Sequence, residues 1–202
     1  MGNPKYDRFS SFNASTIYEA AGKKGDLPPS IRPLSPGIRV CGPAFTVKCW
    51  PGDGSAMARA VNVAAAGDIL VIDSGVGDAA AMWGGGSTIT AQRRGLVGVV
   101  TNGSVRDVVE IREHNYPVFC AGVTIRGSIR NNAGSIGCVI AIGNAVITPG
   151  DLVVGDEDGV VVVDQNSLDK VYEGAIERRN YEVDLDRRLR GGEVYGGPRF
   201  VT

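Results

Sequence analysis

The 202-residue chain is 43% hydrophobic and 21% charged, a composition that suits one soluble globular domain, residues 1–202, with a sizeable core. Its 21 Lys and Arg nearly cancel 22 Asp and Glu, so no overall positive field exists to hold nucleic acid or an anionic membrane, and any anion must be caught by a local site. The N-terminus lacks the charged-then-apolar pattern of a signal peptide, and no apolar run reaches the roughly 18 residues of a bilayer span, so a cytoplasmic protein without nucleic-acid or membrane partners is expected.

In chain order, Ser15-Thr16 followed by Glu19, with Ile17, Ala20 and Ala21 as apolar positions, predicts a capped first helix that Pro28-Pro29 ends. A β-rich stretch at 40–50 and a small-residue helix at 55–66 follow. Residues 69–72 read as a strand, 88–94 as a helix, 97–100 as a strand and 107–113 as a helix; this alternation implies parallel strands with helical crossovers. After Tyr116 the pattern changes to short strands near Val118, Val139, Val153 and 160–163. Turns such as Thr148-Pro149-Gly150-Asp151 and Asp156-Glu157-Asp158-Gly159 separate them. A charged helix at 167–190 and a Gly-rich tail close a mixed α/β domain with helices on more than one face.

Cys41, Cys49, Cys120 and Cys138 are widely spaced in apolar surroundings and read as buried reduced thiols. The single histidine, His114, follows Ile111-Arg112-Glu113 and reads as a solvated helix end. The run Gly75-Val76-Gly77-Asp78-Ala79-Ala80 superficially matches the dinucleotide fingerprint, but the next strand ends in Thr101-Asn102 rather than in an acidic ribose-binding residue.

The chemistry concentrates between Asp78 and Glu110. Gly84-Gly85-Gly86 precedes one helix and Asn102-Gly103-Ser104-Val105 leads into Arg106-Asp107, so both loops lie at the carboxyl ends of neighbouring parallel strands, where open α/β sheets hold ligands. Glycines let backbone N–H groups approach an anion, and the helix that follows adds its positive end. The Arg106 guanidinium offers two parallel hydrogen bonds to a carboxylate or keto-acid edge. Asp107 can hold a hard divalent ion such as Mg²⁺, which takes one or two carboxylates and keeps several waters. Glu110, one turn on, shares that face as a metal-water partner or orienting group. Each piece alone also has a plain reading: a turn, a solvated helix, or a helix-start ion pair with Asp107 serving the dipole.

Gly85, twenty intervening residues, then Arg106-Asp107-x-x-Glu110 resembles the G-x20-R-D-x2-E/D signature of the class II pyruvate aldolases in the RraA-like family. NASTIYEAAGKKGDLPPSIRPL, CGPAFTV and GNAVITPGDLVVGDEDGVVVV resemble that family in the same order, so the likeness covers nearly the whole chain. It implies a single compact α/β/β domain of the swivelling type, with mixed sheets, helices on the outer faces and a C-terminal helix, assembled as a homotrimer or homohexamer with shared active sites. It further implies cleavage of a 4-hydroxy-2-oxo acid, such as 4-hydroxy-4-methyl-2-oxoglutarate or 4-carboxy-4-hydroxy-2-oxoadipate, to pyruvate and a second oxo acid, together with oxaloacetate decarboxylation. By position, the amides of Gly84, Gly85, Gly86 and Ser87 and the Arg106 side chain would bind the small 2-oxo acid, and Asp107 would ligate Mg²⁺ or Mn²⁺ through a shell of waters. An acid from a neighbouring subunit's C-terminal helix would complete the site, with Glu182 the best match among Glu173, Glu177, Glu182, Asp184 and Asp186.

This chain departs from its relatives in having Gly84-Gly85-Gly86 where many carry an acidic or amide side chain near Gly85. The alternative within the same fold is a non-catalytic RraA-type regulator that binds an RNA-degradation endonuclease; in those proteins the position after the arginine is typically a neutral amide, so Asp107 favours the enzyme. A menaquinone methyltransferase, a third label attached to the family, has no acidic ribose-binding strand end to support it here.

Overall fold

The computed structural model describes residues 3–75 and 80–196. A one-turn helix α1 (Pro4–Asp7) precedes α2 (Ala14–Ala20), after which come β1 (Arg32–Pro33), β2 (Val40–Lys48) and α3 (Ser55–Val63). Three similar units follow: β3 (Ile69–Asp73), β4 (Ala81–Trp83) and α4 (Gly85–Arg94); β5 (Gly98–Thr101), β6 (Ser104–Val105) and α5 (Val108–Glu113); then β7 (Val118–Cys120) and β8 (Gly122–Val123). β9 (Ser135–Ile136), β10 (Ile140–Ile142), β11 (Ala145–Ile147), β12 (Leu152–Asp156), β13 (Gly159–Val163) and the long α6 (Leu168–Arg190) complete the chain. No helix of the described residues is long and apolar enough to cross a membrane.

The main sheet runs β1-β7-β5-β3-β2-β12-β13, with β9 paired to β2. β2, β3, β5 and β7 are parallel, as the alternating strand and helix patterns require. β12 is antiparallel to both β2 and β13. The sheet curls towards closure: the Arg32 guanidinium, in β1, donates to the carbonyls of Asp158 and Glu157 in the β12–β13 turn, and the Leu27 N–H donates to Val160 O.

Alternation along these strands builds three cores. Ile69, Val71, Val100, Phe119, Val153 and Val162 point into the barrel. Their neighbours Leu70, Ile72, Val99 and Val118 face outward against α3, α4 and α5, while Leu152, Val154, Val161 and Val163 face outward against α1, α2 and α6. Burial of both faces explains why these strands read as continuous apolar runs. Helices therefore cover the outer faces, the single mixed α/β domain expected from the sequence, with a nearly closed sheet at its centre.

The start of α2 differs from expectation. Ser15 and Thr16 lie inside the helix, and the first amide, Ala14 N–H, is capped at 2.7 Å by Oδ2 of buried Asp156 at the end of β12. The helix ends at Ala20, well before Pro28, where Gly22 and Lys23 take positive φ. Asp151 plays a related part, accepting from Thr148 N–H at 2.8 Å and Gln165 N–H at 3.1 Å. The Pro-Gly-Asp and Asp-Gly segments thus tie their turns to distant elements through buried carboxylates.

Beyond the ends of the parallel strands lies a second, three-stranded parallel sheet in the order β4-β6-β8. β6 and β8 follow β5 and β7 after a short kink, and β4 is the next strand after β3. Asn102 stitches one kink to the next: its Oδ1 accepts from Ser74 N–H and Oγ–H at 2.8 Å each, and its Nδ2 donates to Asp73 at 3.1 Å. The loops that follow β4 and β6 leave from this small sheet.

Candidate active site

The register of β4 on β6, Ala81 opposite Ser104 and Trp83 opposite Val105, is extended by Arg106 N–H donating to Trp83 O at 3.0 Å. Arg106-Asp107 therefore emerges beside Gly84-Gly85. Gly84, at the N-cap of α4, has no side chain to satisfy the first-turn amides. Asp107 supplies one acceptor from another element, its Oδ2 taking the Gly85 N–H at 3.0 Å. Gly86 and Ser87, whose N–H groups also lack intrahelical acceptors at a helix start, line a cavity of about 300 Å³.

Asp107 sits at φ 57°, in the left-handed region, and makes no side-chain cap bond to its own helix α5. That conformation costs an ordinary L-residue about 1–2 kcal/mol and is milder for Asp or Asn. The carboxylate reaches across to α4 instead and accepts from Gly85 N–H rather than from an amide of its own helix. Arg106 Nε stands 3.6 Å from Asp107 Oδ2, with the two side chains 49% and 41% exposed. So loose and wet a pair is worth at most about 1 kcal/mol, too little to explain the placement of both residues.

The glycines are required by close approach. A Cβ on Gly84 would stand 2.6 Å from Asp107 Oδ2, and one on Gly85 would collide with the Glu110 carboxylate, whereas one on Gly86 would meet open space. The Glu110 carboxylate thus fills the space that a side chain at 85 would take. Two carboxylates, Asp107 and Glu110, converge on one stretch of glycine backbone.

Gly84, Gly86, Ser87, Arg106 and Asp107 all line the one cavity, with Glu110 packed against Gly85 at its side. Glu182 is not brought there within the chain. Its carboxylate is held on α6 by Arg178 Nε at 2.8 Å and accepts from the Thr16 hydroxyl at 3.3 Å, beside α2 in the layer that packs on β12 and β13. The remaining walls were not legible in the sequence: Met57, Ala58 and Val61 of α3 form one side, and Ser128 and Arg130 form another.

His114 is the C-cap of α5, the helix end expected of it. All four cysteines are free; Cys49 and Cys120 are buried, and Cys41 and Cys138 half-buried. Burial, reinforced by nearby acidic groups, pushes the thiol of Cys49 up to about 11 and that of Cys41 up to about 12. Neither is a nucleophile at neutral pH. Residues 76–79, at the heart of the dinucleotide-like run, lie outside the described residues.

The domain gathers an exposed helix start, a guanidinium and two carboxylates at the ends of parallel strands, the place where open α/β sheets hold their ligands. Residues 14–162 match the family described as RraA-like: Aldolase/RraA, and the chain belongs to the RraA-like family. A Halalkalibacterium halodurans protein bearing the name "Putative 4-hydroxy-4-methyl-2-oxoglutarate aldolase" is 34% identical over 183 residues, 90% of this chain and 87% of that one. Among solved structures, an uncharacterized protein from Pseudomonas syringae pv. tomato superposes with TM-score 0.84 at 26% identity, over 94% of both chains. Streptomyces coelicolor RraAS2, titled an unusual member of the RNase ES inhibitor RraA protein family, superposes with TM-score 0.82 at 24% identity, over 93% of this chain and all of that one. This last likeness concerns the fold.

Proposed function

We propose that the protein is a divalent-metal-dependent class II aldolase that cleaves a 4-hydroxy-2-oxo dicarboxylic or tricarboxylic acid to pyruvate and a second oxo acid, and that also decarboxylates oxaloacetate. The observation that carries this reading is the Asp107 carboxylate, aimed at the amide end of α4 rather than its own helix, in one cavity with Arg106, Gly86 and Ser87.

The donor set suits Mg²⁺ or Mn²⁺. Asp107 and Glu110 are hard oxygen donors and Asp107 is open enough to admit water, which fits an ion that takes one or two carboxylates and keeps several waters; among the described residues there is no cluster of three or more His, Cys, Asp or Glu that could hold a metal by itself. Asp107 would hold the ion, with Glu110 orienting its waters; when bound, the ion supplies a positive charge that polarises the 2-keto oxygen. The Gly86 and Ser87 amides bind the C1 carboxylate, and the Arg106 fork fixes the plane of the keto acid. As a water oriented by Glu110 takes the proton of the C4 hydroxyl, the C3–C4 bond breaks, its electrons pass to the C2–C3 enolate, and C4 becomes the new carbonyl. Arg106 stabilises the charge that accumulates on the enolate oxygen. Protonation at C3 then yields pyruvate, through a water held by an acid for which Glu182 of a neighbouring subunit is the candidate.

The test is pyruvate release from a panel of 4-hydroxy-2-oxo acids and oxaloacetate, with Mg²⁺ or Mn²⁺ and with chelator. Asp107→Asn keeps both the left-handed backbone and an oxygen for Gly85 N–H, so the fold should survive with a stability change of about 1 kcal/mol or less while turnover is abolished. Full activity in Asp107→Asn, or no response of the wild type to chelator, would sink the reading.

A further inference from the structure

We infer that Arg130 of the same chain binds the second carboxylate of the substrate and makes the enzyme selective for diacids over monoacids. The inference rests on the aldolase reading above and names the residue that meets the variable end of the substrate.

Arg130 shares the cavity with Arg106 and Asp107 but comes from a different part of the chain, so the cavity holds two guanidinium side chains on separate walls. Pyruvate has a single carboxylate, which Arg106 and the α4 amides satisfy. A second permanent cation therefore has no part in binding the pyruvyl end, and its chemistry is that of a carboxylate receptor.

Both guanidinium groups line one cavity of about 300 Å³, the scale of a small-ligand pocket. A Cβ on Gly127 would stand 2.7 Å from Arg106 Nη1, so the backbone of 127 runs against the Arg106 fork. Arg130 lies three positions further along the same segment, past Ser128 and Ile129.

Arg130 is exposed, but its guanidinium is tethered to the backbone beside it. Its Nη1 donates to Gly54 O at 2.8 Å, which uses one of five N–H donors. The segment around it is fastened to the start of α3: Ile129 N–H donates to Gly52 O at 2.8 Å and Gly54 N–H to Ile129 O at 3.0 Å. The buried Asp53 carboxylate accepts from Asn131 N–H at 2.9 Å and Ser55 N–H at 2.7 Å, and Asn132 N–H donates to Ser55 Oγ at 2.9 Å. Gly54 has no room for a side chain, since a Cβ there would collide with the Ser128 hydroxyl. Receptor groups fixed before binding lose less entropy on capture, so a fastened arginine selects more sharply than a mobile one.

The experiment compares kcat/KM for a 4-hydroxy-2-oxo diacid with that for 4-hydroxy-2-oxopentanoate, which lacks the second carboxylate, in the wild type, Arg130→Gln and Arg130→Lys. Calorimetric binding of 2-oxoglutarate and of pyruvate to the Mg²⁺-loaded protein is measured alongside; 2-oxoglutarate has no C4 hydroxyl and cannot be cleaved. The diacid-to-monoacid ratio should fall about ten- to a hundredfold in Arg130→Gln and less in Arg130→Lys, and the preference for 2-oxoglutarate over pyruvate should fall with it. If the wild type cleaves the diacid but both ratios survive Arg130→Gln, the inference is wrong and the aldolase reading stands. If the wild type releases pyruvate from none of these acids and binds neither probe, the aldolase reading fails and the inference with it.

Discussion

Gly85 and Gly86 are adjacent, helical and chemically identical, yet alanine at the two positions should behave differently. A Cβ at 86 enters open space, whereas one at 85 lands on the Glu110 carboxylate. Replacing Gly by Ala at a compatible site stabilises by about 0.4–1 kcal/mol through the unfolded chain, and the first turn of α4 accepts alanine. Gly86→Ala should therefore raise the melting temperature by about 1–4 °C for a chain of this size. Gly85→Ala should forfeit that gain, because overpacking costs about 1–3 kcal/mol where neighbours cannot yield and less where, as here, an exposed side chain can swing aside. We expect the two variants to differ by about 1 kcal/mol, and Gly85→Ala combined with Glu110→Ala to recover the gain. Thermal unfolding of the single and double variants measures that coupling directly. Pyruvate release should drop about tenfold or more in Gly85→Ala, since the displaced carboxylate no longer orients water beside Asp107. Equal melting temperatures for the two alanine variants, or strict additivity in the cycle, would refute the contact on which this rests.

Arg106→Lys keeps the charge and loses the fork, so both KM and kcat should suffer, and oxalate, a planar mimic of the pyruvate enolate, should inhibit the wild type far better than the variant when metal is present; equal inhibition would make Arg106 structural. If Glu182 completes a neighbour's site, inactive Asp107→Asn and Glu182→Gln chains should regain activity after dissociation and reassembly together, because some interfaces then pair two intact halves; mixed oligomers without activity would exclude that arrangement. Hydrogen bonds, first from the Ser55 hydroxyl and then from the backbone N–H groups of Ser55 and Asn131, hold the Asp53 carboxyl below the usual carboxylate range. A depressed carboxyl contributes stability that is fully present above its unfolded value of about 3.9 and is lost as pH falls through the folded value. The difference in melting temperature between wild type and Asp53→Asn should thus stay constant from about pH 5 to 8 and shrink only below about pH 4; a change near neutrality would contradict the assignment.

What was legible in the sequence was whatever had a local period. The parallel strands announced themselves as apolar runs because both of their faces are buried, and the crossover helices by the alternation that joins them. The Gly-Gly-Gly to Arg-Asp spacing was legible for the same reason, since consecutive strand ends in a parallel sheet must be neighbours. The start of α2 was misread because its cap, Asp156, lies 142 residues away along the chain, and no local pattern can announce so distant an acceptor. The small sheet of β4, β6 and β8 escaped because its strands are two or three residues long, too short to show alternation. Arg130 escaped because its position follows from bonds between 128–132 and 52–55, two segments without period or motif.

The fold by itself does not separate an aldolase from a regulator, since one architecture carries both kinds of relative. The separation lies in what position 107 needs. Its backbone needs a residue that tolerates φ 57°, and the α4 helix start needs an oxygen to accept the Gly85 N–H. Asparagine meets both needs, so nothing in the fold requires a negative charge at 107. A bare carboxylate adds only electrostatics, and it does so beside a second carboxylate at Glu110, where like charges repel unless a cation lies between or near them. That pair, offset only by the half-exposed Arg106 guanidinium 3.6 Å from Asp107 Oδ2, serves no packing purpose in a domain whose other key carboxylates, Asp53, Asp151 and Asp156, each answer two or more backbone N–H groups. On the proposed aldolase reading, Asp107→Asn should therefore leave the fold intact and abolish pyruvate release.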